Sequence, residues 1–138
     1  MKKISIILLL LFLASSVVNA EPKIIYIQTL GYVNQEYIDY IKTSVKNFYG
    51  YDCEIKSKLK LTPDILAGSG TRYEAGEILK KYNSKENVLL ITEKDIAHKK
   101  SNDFPEWGVF GLGFRPGKTS VISTFRLKKN VSNGKFLP

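Results

Sequence analysis

The sequence predicts an α/β domain: a mixed sheet of about five strands with two helices. Three observations carry that expectation. Short β-branched apolar runs alternate with two stretches of helical periodicity. The last two runs flank Pro116-Gly117, as the arms of a hairpin flank their turn. The 138 residues are 43% hydrophobic and 25% charged, the balance of one globular domain rather than of a disordered chain.

Residues 1–20 stand apart from that domain. Lys2 and Lys3 precede the apolar run Ile4 to Leu13, and the segment closes on Val18-Asn19-Ala20, the pattern of a cleavable secretory signal. The run is shorter than the roughly 20 apolar residues that span a bilayer, and Ser15, Ser16 and Asn19 interrupt its end. Position 21 is Glu rather than a lipid-accepting cysteine, so cleavage after Ala20 predicts a secreted or periplasmic chain that meets the membrane only during export. Without Lys2 and Lys3 the basic count falls from 21 to 19 against 13 acids, leaving a net charge of +6. The lysines are scattered, at Lys56, Lys58, Lys60, Lys80, Lys81, Lys99, Lys100, Lys128 and Lys129 among others, which reads as a solvated basic surface and not a nucleic-acid site.

From Glu21 onward the elements follow in order. Lys23 to Gln28 is apolar in both phases and reads as a central strand, which Gly31 ends. Asn34 suits a helix N-cap, Tyr37, Ile38, Ile41, Val45 and Phe48 recur at helical spacing, and Gly50 closes the helix. Tyr51 to Lys58 alternates, with Lys56 and Lys58 outward as on an edge strand. Strand, helix, strand implies a parallel pair with a right-handed crossover. Cys53, the only cysteine, excludes an internal disulfide and a thiolate zinc cage. It reads as a small buried strand residue beside Ile55, or else as a thiol pairing two chains.

Lys60 to Gly70 is loop; Thr71 and Glu74 form a capping box for a second helix with Ala75, Ile78, Leu79 and Tyr82 as its buried stripe. Gly68-Ser69-Gly70 ahead of that helix resembles a phosphate cradle only faintly, because no strand precedes it and the lysine of a nucleotide loop is missing. Val88 to Thr92 is the most apolar strand and belongs inside the sheet. Glu93 to Glu106 is a polar connection holding Asp95, His98, Asp103 and Glu106. His98, flanked by Lys99 and Lys100, reads as solvated, and no serine or second cysteine is placed to make a nucleophile pair. Paired carboxylates for glycoside chemistry stay open, though such acids are common to many domains.

Gly108 to Phe114 and Thr119 to Phe125 are the hairpin arms, turned by proline's fixed φ and a glycine expected at positive φ. In the first arm Phe110, Leu112 and Phe114 share one face, and Val109, Gly111 and Gly113 leave the other nearly bare. Repeated glycine there implies the close approach of another backbone or a ligand. The second arm, with Val121 and Phe125 against Ile122, suits a strand covered on both faces. Residues 128–138 form a polar tail that includes the sequon Asn130-Val131-Ser132.

WGVFGLGFRPGKTSVISTFRL from Trp107 to Leu127, with VLLITEKDIA from Val88 to Ala97, resembles the archaemetzincin group of metzincin zinc peptidases, in the part just before their catalytic helix. The resemblance implies an incomplete metzincin N-terminal subdomain over residues 21–127, with a mostly parallel sheet whose one antiparallel edge strand lies above the active cleft. It makes Gly108, Val109, Phe110, Gly111, Leu112, Gly113 and Phe114 that strand, pairing an extended peptide or protein substrate as an added strand. In the family the next element carries H-E-x-x-H-x-x-G-x-x-H, which binds zinc and supplies the general base. The chain has one histidine, His98, and none of that motif, so it offers no catalytic residue, no metal ligand set and no cofactor of its own.

Three functions follow as expectations. The first is the N-terminal fragment of an exported archaemetzincin-like zinc peptidase, truncated or frameshifted, inactive as given, and sticky through the face its catalytic helix would cover. The second is a non-catalytic exported module that grips peptides on Gly108–Phe114. The third is a basic surface-associated protein whose binding to anionic polymer falls with salt.

Overall fold

A computed structural model describes residues 23–128. The expected signal segment, the sequon and the remainder of the tail lie outside the described residues. The elements run β1 (Ile24–Thr29), α1 (Gln35–Tyr49), β2 (Asp52–Ile55), a 3-10 turn (Pro63–Ile65), β3 (Tyr73–Glu74), α2 (Ala75–Lys81), β4 (Val88–Thr92), β5 (Ile96–His98), β6 (Trp107–Val109), β7 (Gly111–Gly113), β8 (Thr119–Ser123) and α3 (Phe125–Lys128).

The main sheet has the order β2-β1-β4-β8-β7. β1 pairs in parallel with β2 and β4, and β4 in parallel with β8; β7 alone runs antiparallel, at the edge. The mostly parallel five-stranded sheet with an antiparallel edge strand is therefore present. Beside it stands a three-stranded sheet, β3-β5-β6, which the sequence did not announce. A third helical element, α3, joins the two expected helices.

Successive residues on a strand face opposite ways, and this divides the core. Ile27 and Ile91 pack with Val33 and Ile38 under α1. On the other face Leu30, Leu90 and Val121 pack with Ile78 and Leu79 of α2 and Ile96 of β5. α1 begins and ends where the sequence placed it: the Asn34 side chain accepts from the Glu36 amide at 3.0 Å, and Gly50, at φ 70°, returns its N–H to the Lys46 carbonyl.

Four details differ from the sequence reading. The capping box shifts by three residues: Glu74, not Thr71, accepts the Glu77 amide, because Tyr73 and Glu74 are held extended by pairing with β5. The polar connection after β4 contains β5, whose Ile96 and Ala97 are fully buried. The second hairpin arm stops at Ser123, and Phe125 opens α3 instead of continuing the strand. Gly117 is not at positive φ; the turn is made with a cis Arg115-Pro116 bond, and Gly117 is required because a Cβ there would lie 2.7 Å from the Phe114 carbonyl oxygen.

Candidate functional site

The run Gly108–Phe114 is not one strand. It breaks at Phe110, so that Trp107–Val109 edges the small sheet and Gly111–Gly113 edges the main one. The break splits the expected faces: Leu112 still alternates with Gly111 and Gly113, but Val109 joins it on the α2-side core, while Phe110 turns out to solvent, 55% exposed, and Phe114 is also exposed. A strict alternation from 108 to 114 cannot put 109 and 112 on one side, so a kink is required.

Among the described residues β7 presents a free backbone edge, and its pairing fixes which groups point outward. Ser123 donates its N–H to the Phe110 carbonyl at 2.8 Å, which makes Phe110–Ser123 a hydrogen-bonded pair. With Gly111 opposite Ile122, Leu112 opposite Val121 and Gly113 opposite Ser120, alternation makes Leu112–Val121 the next such pair. The N–H and C=O groups of Gly111 and Gly113 are then directed away from β8.

The glycines themselves have different causes. A Cβ on Gly111 would meet the Val121 carbonyl oxygen at 2.7 Å, so that glycine admits the neighbouring strand. Gly113 would meet only the Ser120 Cβ, at 3.4 Å, an ordinary contact. Gly108 is covered by an arginine from α3: its Cβ would fall 1.9 Å from Arg126 Nη2.

Beside this edge, α1 packs on Ile27 and Ile91 of β1 and β4, and among the described residues a groove lies between it and β8. The groove is apolar, with a volume of about 240 Å³, and is walled by Tyr37, Tyr40 and Ile41 of α1 and by Phe110, Ile122 and Leu127. Its floor includes Thr124, whose Oγ1 is buried without a hydrogen-bond partner among the described residues.

Glu93, Asp95, His98 and Glu106 of the 93–106 connection make structural contacts, which single-sequence spacing could not show. Asp95 receives Arg72 Nε at 2.9 Å and, on both oxygens, Arg126 Nε and Nη2 at 3.0 and 3.1 Å. Its side chain is mostly buried, so the two guanidinium groups replace the water it has lost. Glu106 accepts the Ser69 amide and hydroxyl, each at 2.5 Å. Those bonds hold its carboxyl below the usual glutamate range, the hydroxyl contributing most. The faint phosphate cradle at Gly68-Ser69-Gly70 is thus occupied by a carboxylate of the same chain. His98 Nδ1 lies 2.6 Å from Glu74 Oε1, and Asp103 lies in the exposed bend before β6. Cys53 is half-buried on β2, where burial pushes its thiol up.

These donors do not fit a zinc ion. Zinc in a peptidase site takes three protein ligands that converge on one point. His98 is the only histidine of the chain, it is engaged by Glu74, and among the described residues no three His, Cys, Asp or Glu side chains come together as a metal shell.

The fold with its antiparallel edge strand is shared by archaemetzincins of known structure. It superposes on archaemetzincin from Archaeoglobus fulgidus, complexed with malonate, at TM-score 0.66 and 25% identity, covering 80% of this chain and 65% of that one. Archaemetzincin from Methanopyrus kandleri, at TM-score 0.62 and 22% identity, and a zinc-dependent peptidase from Methanocorpusculum labreanum, at 0.57 and 14%, share the fold. No family model matches the chain. In sequence it is 34% identical over 89 residues to archaemetzincin of Natronomonas pharaonis and 30% identical to that of Haloarcula marismortui, in each case over 61% of this chain and 49% of the other. By sequence and by fold the chain is thus similar to the archaemetzincins. It spans about half the length of the curated relatives it matches.

Proposed function

We propose that this chain is the exported, substrate-gripping N-terminal part of an archaemetzincin-like zinc peptidase, and that it does not hydrolyse peptides by itself. The observation that carries the reading is the edge of β7, unpaired among the described residues, where Gly111 and Gly113 direct backbone groups outward beside an apolar groove. An extended peptide entering antiparallel to β7 would satisfy those groups, and its alternate side chains would reach Phe110 or Phe114. Hydrolysis would need ligands that the 138 residues lack, since a solitary imidazole holds no catalytic cation.

The test is peptide binding measured with and without a chelator. Labelled extended peptides bind saturably, the chelator changes nothing, and Gly113→Pro, which deletes one outward N–H without touching a β7–β8 hydrogen bond, weakens binding about tenfold. Stoichiometric zinc with peptide cleavage by this chain alone overturns the reading, as does the absence of saturable binding. A non-catalytic module using the same edge rests on the same free backbone. The two part at the DNA level: a His-Glu motif encoded downstream in any frame favours the peptidase fragment, and its absence favours the module. Export is tested separately, by sequencing the N-terminus of the processed chain, which is expected at Glu21.

A further inference from the structure

The sheet has a second opening, between β1 and β4, where its winding changes direction. From β1 the chain crosses through α1, on one face, to β2; from β2 it returns through α2, on the other face, to β4 on the opposite side of β1. The connections leaving β1 and β4 therefore diverge at the carboxyl ends of these two strands, and open α/β sheets characteristically leave a ligand crevice at such a switch point. One is present here. It has a volume of about 420 Å³, within the range of small-molecule sites, and is formed by Leu30, Gly31 and Tyr32 after β1, by Glu93 and Lys94 after β4, and by Lys60, Leu61 and Tyr73 across from them.

We propose that this crevice binds a small organic anion with a flat apolar body, an aromatic carboxylate being the simplest example. Leu30 and Leu61 contribute apolar lining, and Tyr32 and Tyr73 aromatic lining. The charge comes from Lys60 and Lys94, neither of which pairs with a carboxylate among the described residues, whereas Lys46, Lys56, Lys80 and Lys81 all do. The carboxylate within the crevice, Glu93, accepts the Asn34 amide at 2.7 Å at the entrance to α1.

Both lysines spring from fixed backbone. The Lys94 amide donates to Thr92 Oγ1 and its carbonyl accepts from Ser123 Oγ; Leu59, next to Lys60, exchanges hydrogen bonds with Thr29 and Gly31. A site whose walls are already in place loses less to ordering when ligand arrives.

This goes beyond the peptide-gripping reading and either can fail without the other. The experiment is a titration of the full 138-residue chain with benzoate, followed by amide chemical shifts. Saturable shifts are expected at Gly31, Leu61 and Lys94. Lys60→Met and Lys94→Met, which keep the apolar stem, each weaken binding about tenfold, as does replacing benzoate by neutral benzamide. Lys42→Met, on α1, leaves the affinity unchanged. Shifts confined to Ile41 and Ile122 in the groove, equal binding of benzamide, indifference to both lysine variants, or no saturable shift at all would each overturn the proposal.

Discussion

Arg126 occupies the space that a side chain at Gly108 would fill, with Nη2 standing 1.9 Å from where that β-carbon would be. From there the guanidinium closes on both oxygens of Asp95. A residue on α3, a glycine on the edge of the small sheet and an acid before β5 are thereby locked together. A side chain at 108 would have to displace that guanidinium, so the glycine has a packing cause of its own.

Gly108→Ala must displace the guanidinium from Asp95, so it should destabilise the fold by up to about 1.5–3 kcal/mol, the worth of hydrogen bonds to a charged group. In an Arg126→Ala background the same change should cost little. Urea unfolding of the four proteins of that cycle measures the coupling, and additive effects would refute the contact.

Asp95→Ala leaves Arg72 and Arg126 facing each other without their shared carboxylate. Because Asp95 is largely buried while the arginines are about one-third exposed, we expect a loss of about 2–3 kcal/mol, at or below the low end for a broken buried pair. Amide exchange should quicken in α3 and β6 before it does in β4.

Glu106 gives the acid side of the stability profile its sign. Its folded value lies below its ordinary one, so its contribution is full above the ordinary glutamate range near about pH 4.3 and is lost as pH falls through the depressed folded value. Asp64, held down by Lys81 and the Thr62 hydroxyl, acts in the same direction. Ser69→Ala should flatten the fall in melting temperature between pH 5 and pH 3, read by thermal denaturation; an unchanged slope would dissociate Glu106 from it.

Cys53 should react slowly with iodoacetamide at neutral pH. Burial raises its thiol, so less thiolate is present to attack than in a free cysteine. A rate equal to that of free cysteine, or a disulfide-linked dimer on non-reducing gels, would contradict this.

The groove beside α1 should make the chain adhesive. Phe110→Ser removes an exposed aromatic wall without entering the core, and it should reduce both the fluorescence of a bound naphthalene sulfonate dye and light scattering on concentration. Identical dye binding in the variant would place the sticky surface elsewhere.

Several elements were legible in the sequence because their signals are local. Asn34 and Gly50 bracket α1 by the chemistry of helix ends, and β1 and β4 declare themselves as runs apolar in both phases. The small sheet was not legible. β3, β5 and β6 are two or three residues each, and the polar character of 93–106 masks the buried pair Ile96-Ala97, which gains its place only by pairing with distant strands. The kink at Phe110 escaped for the same reason, since alternation assumes that a run stays in one sheet.

What the sequence determined by itself was the α/β class, the order of the long elements, the close of the sheet in a hairpin, and the want of zinc-binding histidines, all set by residue type and spacing along the chain. What only the tertiary structure decided was why each glycine of the 108–113 run is there, which acids are tied to which arginines, and where the sheet opens into a groove and a crevice. Those depend on atoms brought within a few ångströms from positions tens of residues apart, and no local pattern records such distances.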